Sequence, residues 1–306
     1  VATPTNINGT GWIPIPFNKF SIINLTQLPI DPINKPPYYY TFVAGGSYKI
    51  SAKPETNYSL SINDGGIEPL LIEVGSNKKL STFQSGLVLY LPFDEGNGTI
   101  VYDLSGFGNH GKLCEASTTN CYVYGPNWTD DSISGKALFF DGINDGVLFP
   151  SIATSNLSHS FVAWIKPNTT SNEKYVLAAN SGVSTFGINN SLGLKYTACG
   201  GVCNWGITSP SNKIILNTWQ MVAVTLEYLG NNQAFVALYV SKNKVAEKIV
   251  SSGSYPFYVR WGGIGMANNQ GNNYSFTWFG GVIDEVRIYK RALSEQEIKV
   301  LYEATK

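Results

Sequence analysis

Short apolar segments, separated by turn residues, follow one another along the chain after residue 85. Ser160–Lys166 is typical: Phe161 and Ile165 fall on one face of a predicted strand and Trp164 falls on the other, because successive side chains alternate. Both faces are largely apolar, which predicts a strand that is covered on two sides. A series of such strands predicts a mainly β fold, namely a two-sheet antiparallel jelly-roll sandwich.

The clearest predicted strands in this part of the chain are Leu87–Phe93, Ala137–Phe140, Phe161–Ile165, Tyr175–Ala179, Trp219–Tyr228, Ala234–Val240 and Val282–Tyr289. One helix is predicted at Glu295–Ala304, where Ser294 and Glu297 fit a capping box. An apolar stripe that includes Ile298 and Leu301 predicts that this short C-terminal helix packs on the sandwich.

Residues 1–84 show a different pattern, with proline-rich stretches that are barred from helix interiors and central strands. Two short segments, Tyr38–Val43 and Tyr48–Ala52, flank a Gly-rich turn and predict a hairpin, with Leu70–Val74 as a candidate third strand. So small a core predicts that this region packs against something else. We therefore predict two domains, a small β region at 1–84 and a larger β domain at 85–306.

The charge balance argues against a nucleic-acid partner, since 21 Lys and Arg face 21 Asp and Glu. Only 14% of the residues are charged, while Gly, Asn, Ser, Thr and Tyr are abundant, which is typical of a secreted β protein. No segment approaches the roughly 18–20 apolar residues of a membrane helix, so we predict no membrane segment within this sequence.

The cysteines and the glycosylation sequons both indicate an extracellular protein. Four cysteines allow three pairings, and pairing of sequence neighbours is the simplest, which predicts the disulfides Cys114–Cys121 and Cys199–Cys203. Neither spacing is that of a zinc site. Some sequons arise by chance in a chain rich in Asn, Ser and Thr; the nine predicted glycosylation sites are Asn8, Asn24, Asn57, Asn97, Asn127, Asn156, Asn168, Asn189 and Asn273.

Four strings share an order and a spacing along residues 85–306: Leu91–Glu95, Asp103–Gly111, Gly135–Gly142 and Ile283–Tyr289. In these strings the segment resembles the LamG-like jelly-roll family, within the concanavalin A-like lectin/glucanase superfamily. The resemblance implies a fold and does not by itself imply a function, because this fold hosts lectins, adhesive modules and hydrolases.

A second set of strings lies in residues 1–84: Gly11–Pro14, Leu28–Pro32, Tyr38–Tyr40, Tyr48–Ala52 and Asp64–Gly66. They resemble the globular part of type IV pilins and type II secretion pseudopilins. Those proteins begin with a long apolar helix that forms the filament core, so the resemblance implies that such a helix precedes Val1. It also implies an extracellular location, at the cell surface or in a pilus, with other filament subunits as partners.

The sequence lacks the catalytic patterns of a glycosidase. Glucanases of this superfamily place acids at alternating strand positions, whereas the acids of Asp94–Glu95 and Asp284–Glu285 are adjacent and point to opposite faces of a strand. We predict turn or capping roles for His110 and His159, and we predict that the chain is not an enzyme.

The family resemblance also implies a structural calcium site, with oxygen ligands from Asp103, Asn109, Asp141 and Asp284. The alternative is that Asp141 makes a turn with Gly142, and that Asp284 pairs with Arg287 or Lys290. The sequence leaves both interpretations open.

Two loops carry the aromatic and amide side chains that carbohydrate binding requires. The predicted contacts are Asn204, Trp205, Asn269, Asn272 and Tyr274, although the alternative is a packed Trp205 and a solvated Asn-rich loop. Trp164, Trp219 and Trp278 are predicted to be core residues. We predict an extracellular adhesion module that binds a glycan or a cell-surface protein. A structural filament subunit or spacer is the alternative, and a divergent glycoside hydrolase is less favoured.

Overall fold

The computed structural model describes two compact units, Val1–Ser85 and Gly86–Lys306, and each is considered by itself. The described residues are 27, 40–44, 48–52, 72–75, 86–117, 120–122, 125–153, 158–169, 173–179, 185–197, 206–251, 260–267 and 277–306.

The first unit contains a three-stranded antiparallel sheet of β1 (Tyr40–Ala44), β2 (Tyr48–Ala52) and β3 (Ile72–Gly75), in that order. The pairing of β1 with β2 confirms the predicted hairpin. Most residues of the pilin-like strings lie outside the described residues, so that resemblance stays a prediction.

The second unit contains two large antiparallel sheets and a two-stranded hairpin. The nine-stranded sheet consists of β5 (Ile100–Val101), β6 (Gly111–Ser117), β7 (Asn120–Tyr122), β10 (Asp145–Ala153), β12 (Lys174–Ala179), β13 (Thr185–Ile188), β14 (Leu194–Thr197), β15 (Gly206–Thr208) and β19 (Arg260–Ile264). Its strand order is β15-β14-β13-β12-β19-β10-β6-β5, and β7 pairs with β6.

The eight-stranded sheet consists of β4 (Leu87–Leu91), β8 (Asn127–Thr129), β9 (Ala137–Asp141), β11 (His159–Pro167), β16 (Gln220–Gly230), β17 (Gln233–Val240), β18 (Asn243–Ser251) and β22 (Gly280–Tyr289). Its order is β18-β17-β16-β11-β22-β9-β8, with β4 beside β22. The hairpin pairs β20 (Met266–Ala267) with β21 (Thr277–Trp278). The predicted two-sheet sandwich is therefore confirmed.

The core lies between the two sheets, where alternate residues of facing strands meet. Phe161 of β11 and Phe186 of β13 pack edge to face across the sheets, with ring centroids 5.3 Å apart. Ala163 and Ile165 belong to the same core as Phe161. The alternation in β11 thus places one set of its side chains inward, as the apolar pattern predicts.

The other face of β11 is covered by the helix α1 (Glu295–Thr305). Tyr302 stacks on the indole of Trp164, with centroids 5.4 Å apart. The predicted capping box is present, because the Ser294 hydroxyl accepts a hydrogen bond from the Glu297 N–H while the Glu297 carboxylate accepts one from the Ser294 N–H. The described residues include no helix with the length and apolar character of a membrane span.

Of the three tryptophans that were predicted to be core residues, only one is a core residue. Trp164 is 2% exposed and is a core residue. Trp219 and Trp278 are only half-buried, so the prediction is wrong for them. Trp219 precedes β16, and its indole N–H donates to the Asp131 carboxylate at 3.1 Å near the surface.

Candidate functional site

The outward face of the nine-stranded sheet carries a group of polar side chains on β12 to β15. In β14, Leu194 and Tyr196 enter the core, so the alternation turns Lys195 and Thr197 outward. The same alternation in β13 buries Phe186 and turns its neighbours to the outward face. The local sequence therefore selects the residues that this face presents.

Strand register aligns these positions into two rows across four strands. One row is Tyr175, Gly187, Lys195 and Thr208, and the second is Ala178, Thr185, Thr197 and Gly206. Cross-strand neighbours on one face are close enough for their side chains to interact.

Hydrogen bonds connect the polar members of these rows. The Tyr175 hydroxyl donates to Glu173 Oε2 at 2.9 Å, and Lys195 Nζ lies 2.6 Å from Glu173 Oε1. The hydroxyls of Thr185 and Thr197 are 2.7 Å apart, and Thr185 is also hydrogen-bonded to Tyr175. We call these five side chains the outward network.

Gly187 lies between Tyr175 and Lys195 in the first row. A β-bulge interrupts the pairing of β12 with β13 just after Tyr175. A Cβ atom at Gly187 would overlap the backbone carbonyl oxygen of Lys174, so this position excludes a side chain. Tyr175 and Lys195 are two inter-strand spacings apart, or about 10 Å between Cα atoms.

The outward network is partly exposed and contributes little to stability. The side chains of Lys195 and Glu173 are 32% and 31% exposed, and an ion pair this open contributes less than about 1 kcal/mol. Burial, together with the hydrogen bond to Glu173, raises the pKa of the Tyr175 hydroxyl above its usual range, so that hydroxyl is a neutral donor at neutral pH. Its groups can therefore exchange partners with a ligand at low cost.

The chemistry of the outward network is that of polar recognition. It combines hydroxyls, an ammonium, a carboxylate and the ring of Tyr175, which are the groups that meet sugar hydroxyls and C–H faces. Glu173 is its one carboxylate, and hydrolysis of a glycosidic bond requires two. This arrangement can bind a polyhydroxylated ligand.

A profile of the concanavalin A-like lectin/glucanases superfamily matches residues 141–299, which include both rows. The chain belongs to this superfamily. The jelly-roll resemblance of residues 85–306 is thereby confirmed at the level of the superfamily. No curated protein sequence matches the chain.

Three solved structures resemble this concanavalin A-like domain. Domain 4 of AbnA, a GH43 extracellular arabinanase from Geobacillus stearothermophilus, aligns with a TM-score of 0.52 at 18% identity, over 71% of this chain and 98% of that chain. The binding domain of Paraclostridial Mosquitocidal Protein 1 aligns with a TM-score of 0.52 at 18% identity, over 73% of this chain and 53% of that chain. The botulinum neurotoxin serotype D ligand binding domain aligns with a TM-score of 0.51 at 15% identity, over 72% of this chain and 51% of that chain. The chain spans about half the length of the latter two, and identities this low show a shared fold alone.

Asp103 and Asn109 of the concanavalin A-like domain, two of the predicted calcium ligands, contact each other in the loop before β6. The Asp103 carboxylate accepts hydrogen bonds from the N–H groups of Tyr90, Ser105 and Asn109, each at 2.9 Å. The Asn109 amide donates to the Val88 carbonyl oxygen at 2.8 Å. Both side chains thus organise this loop through the backbone.

Asp141 lies at the end of β9 and caps a turn. Its carboxylate accepts hydrogen bonds from the N–H groups of Ile143 and Asn144, at 2.8 and 3.3 Å. Gly142 follows with φ +81°, a conformation that favours glycine. This geometry is that of the alternative interpretation for Asp141.

Asp284 is fully buried on β22. Its carboxylate accepts hydrogen bonds from the N–H groups of Ile133 at 2.9 Å, Ser134 at 3.3 Å and Glu285 at 2.8 Å. Burial raises the pKa of Asp284 to about 7. In the alternative interpretation Asp284 pairs with Arg287 or Lys290, whereas Arg287 pairs with Glu285 at 2.5 Å.

The four predicted calcium ligands do not converge. Asp141 is opposite Gly280, four residues before Asp284 on β22, so the two acids are attached about 13 Å apart along the strand. Among the described residues, no group of three or more His, Cys, Asp or Glu side chains is placed to hold a metal ion. Calcium binding by Asp103, Asn109, Asp141 and Asp284 stays a prediction.

The two histidines have structural contacts. His110 Nδ1 accepts a hydrogen bond from the Asp103 N–H at 2.9 Å, within the loop before β6. His159 is 1% exposed on β11, and its Nε2 lies 2.8 Å from the Tyr196 hydroxyl.

Several other predicted residues lie outside the described residues, so the predictions about them are untested. They are the carbohydrate contacts Asn204, Trp205, Asn269, Asn272 and Tyr274, the cysteines Cys199 and Cys203, and the sequons Asn8, Asn24, Asn57, Asn156 and Asn273. Cys114 is disulfide-bonded, and the pairing of β6 with β7 places Cys121 opposite Ala116. The side chain of Cys121 is not described, so the pair Cys114–Cys121 stays a prediction.

Four predicted glycosylation sites fall within the described residues. Asn97, Asn127 and Asn168 are exposed. Asn189 is half-buried, and its side-chain oxygen accepts hydrogen bonds from the N–H groups of Ser191 and Gly193. Glycosylation at all four stays a prediction.

Sequence reasoning missed the outward network. The alternation of Leu194–Thr197 between apolar and polar residues is a signal that marks Lys195 and Thr197 as outward. Glu173 and Tyr175 are likewise two positions apart, and therefore on one face. No local pattern indicates that these two pairs meet across Gly187.

Proposed function

We propose that the chain is a non-enzymatic extracellular recognition module that binds glycans through the outward network. The observation that carries this proposal is the continuous set of hydrogen bonds from Lys195 through Glu173, Tyr175 and Thr185 to Thr197, on a partly exposed sheet face. Sugars offer hydroxyls that pair with such groups and C–H surfaces that pack on aromatic rings.

Two of the similar structures support a glycan as the ligand. Domain 4 of the arabinanase is solved in complex with arabinotriose, and the botulinum neurotoxin serotype D domain in complex with N-acetylneuraminic acid. An extracellular location is in keeping with such modules. For the present chain, both the ligand class and the location are proposals.

The burial of Asp284 and Glu285 supports binding rather than hydrolysis. These adjacent acids are 0% and 4% exposed, so a polysaccharide cannot reach them. The outward network has one carboxylate, whereas a glycosidase places two about 5–10 Å apart across its cleft.

The pilin-like context of residues 1–84 is part of the proposal and rests on sequence strings. It would make the concanavalin A-like domain the head of a surface filament subunit, with other subunits as partners. Reading the coding sequence upstream of Val1 tests it: an apolar segment of about 20 residues supports a filament helix, and a polar one contradicts it.

A glycan array probed with the 306-residue chain tests the binding function, with and without EDTA to test calcium. The double variant Tyr175→Phe with Lys195→Met removes two polar groups of the outward network. We expect its affinity to fall at least tenfold while its circular dichroism is unchanged. The matched control is Lys242→Met, which removes a similar exposed Lys–Glu pair, with Glu303, on the side of α1.

Unchanged glycan binding by the double variant would contradict the site. Absence of binding on the whole array would contradict the function and would favour a protein partner or a structural role. Loss of binding in EDTA would support the predicted calcium.

A further inference from the structure

The charges of the outward network cancel within the network itself. Lys195 Nζ contacts Glu173 at 2.6 Å, so its positive charge already has a carboxylate partner. The remaining members, Tyr175, Thr185 and Thr197, carry no formal charge at neutral pH. An anionic ligand placed at Lys195 would also lie beside the carboxylate of Glu173, so repulsion by Glu173 would oppose the attraction by Lys195 and leave little to offset the desolvation of the anion.

The neighbouring lysine does not change this balance. Lys174 is in register with Ile188, a core residue, so its side chain leaves β12 on the face opposite to Tyr175. Lys174 is 5% exposed, and burial lowers the pKa of its ammonium. It is therefore not placed to attract an anion to the outward face.

From these observations we infer that the ligand of the outward network is an uncharged glycan. The inference rests on the proposed glycan-binding function and narrows its ligand class. The network offers a donor and an acceptor side by side, Lys195 and Glu173, which is what adjacent sugar hydroxyls require. A sialylated or uronic-acid glycan is correspondingly a poor ligand.

Pairs of related sugars, each with one acidic and one neutral member, test the inference. The probes are trigalacturonic acid against its methyl ester, and sialyllactose against lactose, together with arabinotriose as a neutral sugar. We expect the neutral member of at least one pair, or arabinotriose, to bind at least tenfold more tightly than any acidic probe. Its Kd should change less than about twofold between 20 and 300 mM salt, because no ligand charge is screened.

The variant Glu173→Gln tests whether the carboxylate of Glu173 causes the preference for uncharged sugars. Removal of this carboxylate leaves Lys195 unpaired, so we expect the affinity for an acidic probe to rise at least tenfold relative to its neutral partner. The control Glu303→Gln removes the carboxylate of the exposed pair with Lys242 and should leave the preference unchanged.

The outcomes separate the two proposals. Tighter binding of the acidic probes by the wild-type chain overturns the inference and leaves glycan binding intact. An unchanged preference in Glu173→Gln also overturns the inference, because the carboxylate then does not select the ligand. Failure of every probe and of the array overturns the proposed function, and the inference with it.

Discussion

The indole N–H of Trp164 donates a hydrogen bond to the Thr305 hydroxyl at 2.9 Å and so joins the centre of β11 to the last residue of α1. The same hydroxyl donates to the Leu301 carbonyl oxygen at 2.8 Å. One threonine therefore both ends the helix and satisfies a buried donor of the sheet.

We expect Thr305→Val to lower the free energy of unfolding by about 1–3 kcal/mol, because the buried indole N–H of Trp164 loses its acceptor. Urea denaturation followed by tryptophan fluorescence measures the change. Thr305→Ser keeps the hydroxyl and should stay close to the wild type. Equal stability of the two variants would show that the hydrogen bond is unimportant.

A second prediction concerns the buried pair Arg287–Glu285. Glu285 Oε1 accepts a hydrogen bond from the Tyr90 hydroxyl at 2.9 Å, and the guanidinium lies 4.1 Å from the Tyr90 ring centroid. We expect Glu285→Gln to destabilise the protein by about 3–5 kcal/mol, because Arg287 is left buried without a counter-charge. Thermal and urea unfolding measure the loss.

The control for this pair is Glu303→Gln, which removes the carboxylate of an exposed ion pair and should leave the unfolding midpoint unchanged. Tyr90→Phe removes the hydroxyl that donates to Glu285. It should lower the free energy of unfolding less than Glu285→Gln does, since the ion pair stays intact. A larger loss for Tyr90→Phe would contradict this order.

The third prediction is a pH dependence at Asp284. Burial raises the pKa of its carboxyl to about 7, above its usual value near 4, so between these values the folded state binds more protons than the unfolded state. The contribution of Asp284 to stability is therefore fully present below about pH 4 and is lost as the pH rises through about 7.

The variant Asp284→Asn keeps an oxygen acceptor and cannot ionise. We expect the free energy of unfolding of this variant, relative to the wild type, to rise by a few kcal/mol between pH 4 and 8, since one pKa unit corresponds to about 1.4 kcal/mol. Urea denaturation at four pH values in EDTA measures the difference. A constant difference, or one that falls with pH, would contradict the raised pKa.

The fourth prediction concerns Gly187. In Gly187→Ala the new methyl group overlaps the backbone oxygen of Lys174, so β12 and β13 must separate. We expect a loss of about 1–3 kcal/mol and a reduced glycan affinity, because Tyr175 is displaced. Thr208→Ala, at an exposed position of the same row, is the matched control and should keep full stability.

Hydrophobic periodicity predicted the two-sheet fold but not which strands lie next to each other in each sheet. The two apolar faces of β11 indicated cover on both sides, and α1 provides one of them through Trp164 and Tyr302. The pairing of Leu91 with Val286 brings the two ends of the domain together. An alternating pattern identifies the face of a strand, and it carries no information about which distant strand lies beside it.

The candidate site shows the same limit more strongly. Trp205 and the Asn-rich loop were predicted as contacts because their residue types suit carbohydrate binding. Lys195 and Glu173 have no distinctive local sequence, and only the strand register brings them together. The β-bulge after Tyr175 shifts that register by one residue, and only Gly187 in the sequence hints at it. Tertiary pairing, rather than local propensity, assembles this network.

The helix α1 and the outward network lie on opposite sides of the sandwich, which decides how the protein should be attached to a biosensor. Lys242 and Lys299, on the helix side, have half-exposed side chains and suit amine coupling, whereas Lys195 would be blocked if it reacted. Random coupling would therefore mask part of the population. An orientation anchored near α1 would leave every immobilised copy facing the analyte.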